Sequence, residues 1–327
     1  MQVSELGEFG LIDRLAARLD RTVPGELLLG IGDDAAVWRS GRTLLLATTD
    51  TLVDGVHFLS DRADPAALGR KAAAANLSDI NAMGGSPRFA LVTLGLPPDT
   101  PVAWVDGLYD GLAALGEAGA IIAGGDVVRA PVRLVTVSLL GDAPARVRWE
   151  KSLLLRSAAR PGDVVAVSGT LGGPAGGLAL LLDQRTTSPE LRDALIEAHD
   201  RPEPPLGLGA RLVALGVRCG MDLSDGLAGD LAKLCAASGV GAEIDPAQLP
   251  VHPALVAAWP EDATRIAVTG GEEYELLVTC PLTVWRRVQA AGLGLTAIGR
   301  IVQTTGVRLL GAPNGGLASW DHLASNS

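Results

Sequence analysis

Acidic residues in this chain recur in short turns that also contain glycine, serine or threonine, and this pattern constrains the fold most strongly. The first such turn, at residues 30–36, places Asp33 and Asp34 side by side with no lysine or arginine within four residues. Adjacent carboxylates repel each other unless a cation lies near them. Taken alone, this turn is more simply a hairpin whose aspartates face water, so its meaning depends on the other acidic turns.

Comparable acidic turns follow at points where a predicted strand or helix gives way to a loop. Together with Asp33 and Asp34 of the first turn, the residues concerned are Asp50, Asp79, Asp126, Asp222, Asp225, Glu272 and Glu273. Aspartates that share one local context suggest carboxylates that converge in the fold, and such a cluster is strongly repulsive unless cations bridge it. Mg²⁺ binds through carboxylates together with substrate phosphates. The pattern therefore indicates nucleotide phosphoryl transfer, in which positioning and charge neutralisation do most of the catalysis.

Length and composition are those of a globular protein with two domains. The chain has 327 residues, of which 48% are hydrophobic and only 3% aromatic, so its cores must be aliphatic. A formal net charge of −10 argues against nucleic acid or an anionic membrane as a partner. The cysteines and histidines lack the spacing of a zinc site or disulfide framework. With no signal peptide and no long apolar span, we expect a soluble cytoplasmic protein without a membrane partner.

The predicted strands and helices mix without strict β–α alternation, so we expect two α+β domains, at residues 1–143 and 144–327. In the first domain, a buried strand at 43–47 delivers Asp50 just beyond its end, and an alanine-rich helix at 65–83 carries Asp79. A short strand at 120–123 ends in Gly124-Gly125-Asp126. In the second domain, the glycine-rich loop at 168–173 opens a helix and could receive a phosphate, although a plain strand-to-helix connection is at least as probable.

The common ATP-binding motifs are absent from the sequence. There is no G-x-x-x-x-G-K-[ST] segment, and none of the three lysines, Lys71, Lys151 and Lys233, follows a glycine. There is no kinase catalytic loop or D-F-G segment either. If ATP binds, metal ions and backbone amides must hold its phosphates, with one arginine at most.

Seven segments in a fixed order connect the chain to a known family. They are GIGDDAA (30–36), TTDTLVDGVHF (48–58), NLSDINAMG (76–84), GGD (124–126), RPGD (160–163), MDLSDGLAGDL (221–231) and GGEEYELL (270–277). Together they resemble the thiamine-monophosphate kinase family of the PurM-like superfamily, which is related to aminoimidazole-ribonucleotide synthetase. The resemblance implies a two-domain α+β fold, with an N-terminal mixed sheet that dimerises and a C-terminal α/β sandwich domain.

The resemblance also implies an activity and its partners. It implies ATP-dependent phosphorylation of thiamine monophosphate to thiamine diphosphate, the last step in making that cofactor, with several Mg²⁺ ions and ATP as co-substrate. A homodimer joined through the N-terminal domains is implied as well. The phosphate of the substrate is largely ionised near neutral pH, so no dedicated general base is expected.

By motif, the resemblance assigns residues to each kind of contact. The implied Mg²⁺ ligands are Asp34, Thr48, Thr49, Asp50, Asp79, Asp126, Asp222 and Asp225, with Asp50, Asp79 and Asp126 expected to carry most of the catalysis. The implied ATP contacts are Gly125, Asp126, Arg156 and Ser224, with Tyr109 near the adenine. The implied substrate contacts are His57, Glu272 and Trp320. Glu273 replaces the aspartate that the family commonly has, which leaves its role open.

Two alternatives stay open at this point. One is a related enzyme of the same superfamily that acts on another phosphate or carboxyl acceptor. The other is a non-catalytic sensor of thiamine phosphate or nucleotide, which would be expected to have lost some of the aspartates.

Overall fold

The computed structural model describes residues 3–18, 25–146 and 148–311, apart from the side chain of Phe9. Within this part of the chain, two six-stranded sheets form successive halves, each with helices packed against it. This arrangement confirms the predicted α+β class with two units. No helix among the described residues is long and apolar enough to cross a membrane.

The first half contains a mixed sheet with helices on one face. Its elements are α1 (Val3–Ala16), β1 (Leu27–Leu29), β2 (Ala36–Ser40), β3 (Thr43–Val53), α2 (Pro65–Ala82), β4 (Ser86–Leu96), α3 (Val102–Leu112), α4 (Ala114–Glu117), β5 (Ile121–Arg129) and β6 (Leu134–Pro144). The strand order is β1-β2-β3-β6-β4-β5, and neighbours are antiparallel except the parallel pair β4 and β5. The domain boundary predicted between residues 143 and 144 falls at the end of β6 and stays a prediction.

The second half is a sandwich with helices on both faces of its sheet. Its elements are β7 (Val164–Ser168), α5 (Gly173–Leu181), α6 (Pro189–Asp200), α7 (Leu208–Leu215), β8 (Cys219–Asp222), α8 (Leu227–Ser238), β9 (Gly241–Ile244), α9 (Pro253–Ala258), α10 (Ala263–Thr269), β10 (Leu276–Cys280), α11 (Leu282–Ala290), β11 (Leu295–Val302) and β12 (Gly306–Leu309). The strand order is β12-β9-β11-β7-β10-β8. Every residue of β10 is buried, as expected for a strand covered on both faces.

The helix α2 is the central element because it packs on the first sheet and also contacts the second half. Asp64 caps its N-terminus by accepting a hydrogen bond from the Ala67 amide at 3.1 Å. Ile80 packs into the aliphatic core under β3, whereas Ala82 belongs to a core cluster of the second half. The small alanine side chains of α2 allow both sheets to approach it closely.

Two strands extend further than the sequence predicted. The strand expected at 43–47 continues to Val53, and the strand expected at 120–123 continues to Arg129. Threonines in β3 and valines in β5 favour extended backbone, and each strand has a long partner, β6 or β4, that supplies hydrogen bonds along its length. Thr48–Asp50 and Gly124–Asp126 therefore lie within strands, where successive side chains point to opposite faces. The sequence patterns also did not predict the charged helix α6 or the four-residue strand β9.

Two glycines allow α2 and α3 to pack with their backbones in contact. A Cβ added to Gly69 of α2 would lie 2.0 Å from the Leu108 carbonyl oxygen, and one added to Gly111 of α3 would lie 1.9 Å from the Ala66 carbonyl oxygen. Backbone atoms cannot rotate away as side chains do, so any larger residue must separate the helices.

We therefore expect Gly111→Ala to lower the free energy of unfolding by about 3 kcal/mol, because overpacking against a fixed backbone is costly. Urea unfolding followed by circular dichroism measures this change. The matched control is Gly116→Ala, where an added Cβ meets nothing within 4 Å. That control should be neutral or stabilise by about 0.5–1 kcal/mol, the usual difference between alanine and glycine in a helix. Equal stability of the two variants would contradict the backbone contact.

Candidate active site

Three predicted acidic turns meet where the two halves join. Asp34 precedes β2, Asp79 lies in the last turns of α2, and Asp222 ends β8. Each offers a carboxylate oxygen, and these oxygens all lie within 4.8 Å of one another. The structure therefore brings together three carboxylates that are far apart in sequence.

Neighbouring hydroxyl groups orient two of these carboxylates. Ser78 Oγ donates a hydrogen bond to Asp222 Oδ2 at 2.8 Å, and Thr48 Oγ1 donates to Asp79 Oδ2. Asp222 is also fixed by its backbone, since it pairs with Leu276 across the β8–β10 ladder. The Asp79–Asp222 pair is thus supported from both halves of the molecule.

Arg156 supplies positive charge at the third carboxylate. It lies in a short 3₁₀ turn, and both Nε and Nη2 donate to Asp34 Oδ1, with Nε at 3.1 Å. The Arg156 amide donates to Asp33 Oδ2 at 3.2 Å. The predicted pair Asp33 and Asp34 is therefore divided between two tasks, with Asp34 in the cluster and Asp33 fixing the backbone of the 3₁₀ turn.

The cluster carries more negative charge than its protein surroundings neutralise. Burial raises the pKa of Asp79 well above its ordinary value, and the charges of Asp50, Asp222 and Asp34 raise it further. Burial and then Asp34 do the same for the pKa of Asp222. The pKa of Asp33 is raised to about 7, because burial and then the charge of Asp34 raise it more than Arg156 lowers it. An additional cation would relieve this repulsion.

The donor set fits a hard divalent cation. All three groups offer oxygen atoms, which Mg²⁺ prefers. Asp34 Oδ2 is buried and has no hydrogen-bond partner among the residues that the structure describes. Asp50 lies on the face of β3 that also carries Thr48, and its charge acts on Asp79, so it adds a fourth carboxylate near the cluster.

Asp225 lies at the start of the turn that leads into α8. Asp230 of α8 accepts hydrogen bonds from the amides of Ser224, Asp225 and Gly226 at 3.0–3.1 Å, which fixes this turn. Lys233 pairs with Asp230 at 2.9 Å and also contacts the Asp225 carboxylate. Lys233 was not predicted from the sequence, although it is one of only three lysines in the chain.

Some predicted ligands lie apart from the cluster. The Thr49 side chain is on the opposite face of β3 from Thr48, where its Oγ1 lies 3.0 Å from Ser138 Oγ. Its hydroxyl therefore points away from Asp79, and a contribution of Thr49 to metal binding stays a prediction. Asp126 is exposed on β5, three strands away from β3, which is roughly 14 Å across a sheet.

The other predicted contacts are placed as follows. Gly125 lies beside Asp126 on the edge strand β5, and Tyr109 is exposed on α3. Trp320 lies outside the described residues. Ser224 lies in the turn before α8, close to Asp222.

A second group of charged residues surrounds Glu272. Lys71 Nζ of α2 lies 2.7 Å from both carboxylate oxygens of Glu272, and His199 Nδ1 of α6 lies 3.3 Å from Glu272 Oε2. Burial opposes ionisation of Glu272, but its neighbours, and the charge of Lys71 most strongly, outweigh burial and lower the Glu272 pKa. His57 also lowers the Glu272 pKa, which places this predicted substrate contact in the same neighbourhood.

A cavity of about 580 Å³ opens beside this charged group. Its lining includes His57 and Phe58 from the loop after β3, Lys71 from α2, Leu181 at the end of α5, and His199. The cavity thus lies between the two halves and combines an apolar wall with titratable groups, as small-molecule sites commonly do. The sequence reasoning missed Lys71 and His199, although a lone lysine in an alanine-rich helix is a detectable signal.

The backbone around Glu272 is strained and held in place by the turn before α8. Glu272 and Tyr274 have φ angles of 64° and 52°, which are rare for residues other than glycine. Their amides donate to the carbonyl oxygens of Ser224 at 2.7 Å and Leu223 at 2.8 Å. The segment that carries Glu272 is therefore bonded directly to the segment that carries Ser224.

The glycine-rich loop at 168–173 is filled by side chains of the protein itself. The Gly172 amide donates to Glu273 Oε1 at 2.5 Å, and Ser168 Oγ donates to Glu275 Oε2. A Cβ added to Gly169 would lie 1.9 Å from Glu275 Oε1. Of the two readings left open for this loop, the structure favours a plain strand-to-helix connection, and it gives Glu273 a structural contact.

Both halves of the chain match known protein families in sequence. The N-terminal domain of AIR synthase related proteins matches residues 32–143, and the C-terminal domain matches residues 160–311. A thiamine-monophosphate kinase of Escherichia coli K12 is 42% identical over 280 residues, covering 84% of this chain and 83% of the relative. A thiamine-monophosphate kinase of Aquifex aeolicus is 36% identical over 311 residues, covering 94% of this chain and 95% of the relative.

Solved structures agree with the sequence relatives. A structure described as AaThiL complexed with AMPPCP and TMP superposes with a TM-score of 0.84 at 35% identity, covering 98% of this chain and 99% of that chain. Both halves thus adopt the PurM-like fold implied by the seven motifs. The chain belongs to the thiamine-monophosphate kinase family of phosphotransferase enzymes, within the AIR synthase related proteins.

Proposed function

We propose that this protein catalyses the ATP-dependent phosphorylation of thiamine monophosphate to thiamine diphosphate, the last step in making that cofactor. The observation that carries the proposal is the convergence of Asp34, Asp79 and Asp222 from three separate motifs at the junction of the two halves. A cavity lined by His57 and Lys71 lies between the same two halves. A related structure with AMPPCP, an analogue of ATP, and TMP supports the same pair of substrates. A cytoplasmic location stays a prediction from the sequence.

The proposed reaction is direct in-line transfer. A phosphate oxygen of thiamine monophosphate attacks the γ-phosphorus of ATP, and ADP leaves. Asp34, Asp50, Asp79 and Asp222 would hold several Mg²⁺ ions, with Thr48 fixing Asp79 and with Asp225 as a further ligand. Bound Mg²⁺ would neutralise the negative charge shared by the two phosphate groups and the carboxylates.

The remaining assignments give each of the two substrates contacts from both halves. Arg156 and Ser224 are proposed ATP contacts next to the carboxylates, together with Gly125, Asp126 and Tyr109 from the first half. His57, Glu272 and Trp320 are proposed contacts to the thiamine moiety, where Glu272 accepts hydrogen bonds from the ring amine. The bond from the Glu272 amide to the Ser224 carbonyl, 2.7 Å long, would keep the two substrate regions at a constant separation.

We also propose a homodimer formed through the exposed face of the first sheet. Phe89 on β4 and Ile121 on the edge strand β5 are register partners and are 50% and 64% exposed. An edge strand with apolar side chains is a surface that another chain can cover. Asp126 pairs with Thr93 in the same ladder, so a dimer of this kind would enclose it.

The activity is tested by incubating the protein with ATP, Mg²⁺ and thiamine monophosphate, with thiamine diphosphate measured by fluorescence after oxidation. Asp79→Asn should lower kcat by about a hundredfold or more, the usual cost of losing one group that stabilises charge in a transition state. It should not lower the melting temperature, because it removes repulsion from a crowded cluster. Asp99→Asn, on an exposed loop, is the matched control and should keep full activity.

Several outcomes of this assay would reject the proposal. Near-normal activity of Asp79→Asn at limiting Mg²⁺ would exclude the carboxylate cluster as the catalytic centre. Tight ATP binding without product would favour a sensor, and product with another phosphate acceptor alone would favour a different enzyme of the superfamily.

Stability should depend on pH and on Mg²⁺ together. The raised pKa values of Asp33, Asp34, Asp79 and Asp222 mean that the folded protein holds protons more tightly than the unfolded chain. Without metal, this contribution to stability is complete below the ordinary pKa of 3.8 and is lost as pH rises through about 7, where the Asp33 pKa lies.

Added Mg²⁺ should therefore raise the melting temperature more at about pH 7.5 than at about pH 5, because binding requires the deprotonated carboxylates. Differential scanning fluorimetry measures both shifts, with KCl at equal ionic strength as the control. Mg²⁺ shifts that equal those of KCl at both pH values would argue against a metal site.

The dimer is tested by Ile121→Lys, which places a charge on the proposed interface. The wild-type chain should elute with twice its mass of 33.5 kDa, and the variant should elute as a monomer in size-exclusion chromatography with light scattering. Val102→Lys is the control, because Val102 is 74% exposed at the start of α3 and lies away from the outer sheet face. A monomeric wild type, or a variant that still dimerises, would overturn this interface.

A further inference from the structure

We propose that Lys71 is a positioning residue for the substrate site, acting through Glu272, and that His199 supports it from the opposite half of the molecule. The inference rests on the proposed function, because it concerns how this chain prepares Glu272 to bind the thiamine moiety. None of the seven motifs includes either residue, and neither was expected to contact a substrate.

The geometry of the three side chains carries the inference. Lys71 Nζ lies 2.7 Å from both Glu272 oxygens, so the ammonium holds the carboxylate symmetrically. The Lys71 side chain is 4% exposed, whereas that of Glu272 is 28% exposed. The lysine is therefore enclosed by the protein, whereas part of the Glu272 side chain remains accessible.

A lysine this deeply buried requires a partner, because an isolated ammonium loses its hydration on burial. Glu272 supplies the countercharge, and His199 Nε2 lies 3.3 Å from Lys71 Nζ. Burial, and then the charge of Lys71, lower the His199 pKa to about 4, so the imidazole is neutral near pH 7. A neutral imidazole can accept a hydrogen bond from the ammonium, which leaves the negative charge on Glu272.

The arrangement also connects three separate elements. Lys71 belongs to α2 in the first half, His199 belongs to α6 in the second half, and Glu272 lies on the strained segment before β10. A left-handed backbone at a residue other than glycine persists only where the surroundings hold it. The Lys71 ammonium holds the side chain of Glu272, while the bond to the Ser224 carbonyl holds its amide.

These contacts assign a function to the buried charge. Thiamine carries a cationic thiazolium ring and an amine on its pyrimidine ring, and both groups favour an ionised carboxylate in a fixed position. Lys71 and His199 line the cavity of about 580 Å³, and Lys71 keeps Glu272 ionised and oriented next to it. Loss of Lys71 should therefore weaken binding of thiamine monophosphate more than binding of ATP.

The test compares Lys71→Met, Lys71→Arg, Glu272→Gln and the double variant Lys71→Met/Glu272→Gln with the wild type. Lys71→Met should raise KM for thiamine monophosphate about tenfold or more, the usual effect of losing a hydrogen bond to a charged group. KM for ATP should change by less than about twofold. Lys71→Arg, which keeps the charge, should recover part of the loss.

The double variant separates positioning from simple stabilisation. Lys71→Met leaves Glu272 without its buried partner and should lower the melting temperature. The double variant removes both charges, and its melting temperature should return toward that of the wild type. Its KM for thiamine monophosphate should nevertheless stay within about twofold of that of Glu272→Gln alone, because Lys71 acts only through Glu272. If Lys71→Met does not fold, the double variant and Lys71→Arg still give this comparison.

Arg70→Met is the matched control, because Arg70 is the preceding residue on α2 and pairs at the surface with Glu117. It should leave both KM values unchanged. An unchanged KM in Lys71→Met, or a double variant whose loss multiplies the two single losses, would overturn the proposal. A wild-type protein that forms no thiamine diphosphate would instead reject the proposed function, before any variant is compared.

Discussion

The mutual repulsion of buried carboxylates is the interaction on which the rest of this structure depends. Asp34, Asp79 and Asp222 approach within 4.8 Å of one another at the junction of two halves. Hydrophobic burial in the two cores must outweigh this repulsion, and the aliphatic clusters under both sheets provide that burial. Arg156 relieves part of the charge at Asp34. The protein thus keeps a site that is unfavourable in isolation and favourable with bound cations.

The helix α2 transmits most of the constraints between the halves. On one side it packs into the core of the first sheet, and on the other it presents polar groups to the second half. Lys71 pairs with Glu272, Ser78 donates to Asp222, and the Asn81 side chain accepts from the Gly209 amide at 3.2 Å. Because these groups lie on one rigid helix, the cavity and the carboxylate cluster have a fixed separation. A loop in the same place could not maintain that geometry.

Much of the fold and of the site was predictable from the sequence, and the errors have physical causes. The acidic turns suggested converging carboxylates, the family resemblance implied Asp34, Asp79 and Asp222 as ligands, and the structure brings these three carboxylates together. Strand β3 runs further than predicted, so Thr48 and Thr49 lie within it, and the alternation of side chains sends their hydroxyls to opposite faces. The sequence pattern specifies the residue types, whereas the length of a strand depends on the neighbouring strands with which it pairs in the sheet.

The sequence by itself determined the α+β class, the order of the motifs and the residues that can offer oxygen ligands, because these depend on local periodicity and composition. Only the tertiary structure decided which of them meet. Lys71 and His199 are more than a hundred residues apart in the sequence, yet they form one buried ion network together with Glu272. No local signal encodes such a contact, since it follows from the way two sheets pack against one helix. The same packing fills the glycine-rich loop at 168–173 with Glu273 and Glu275, which its own sequence could not reveal.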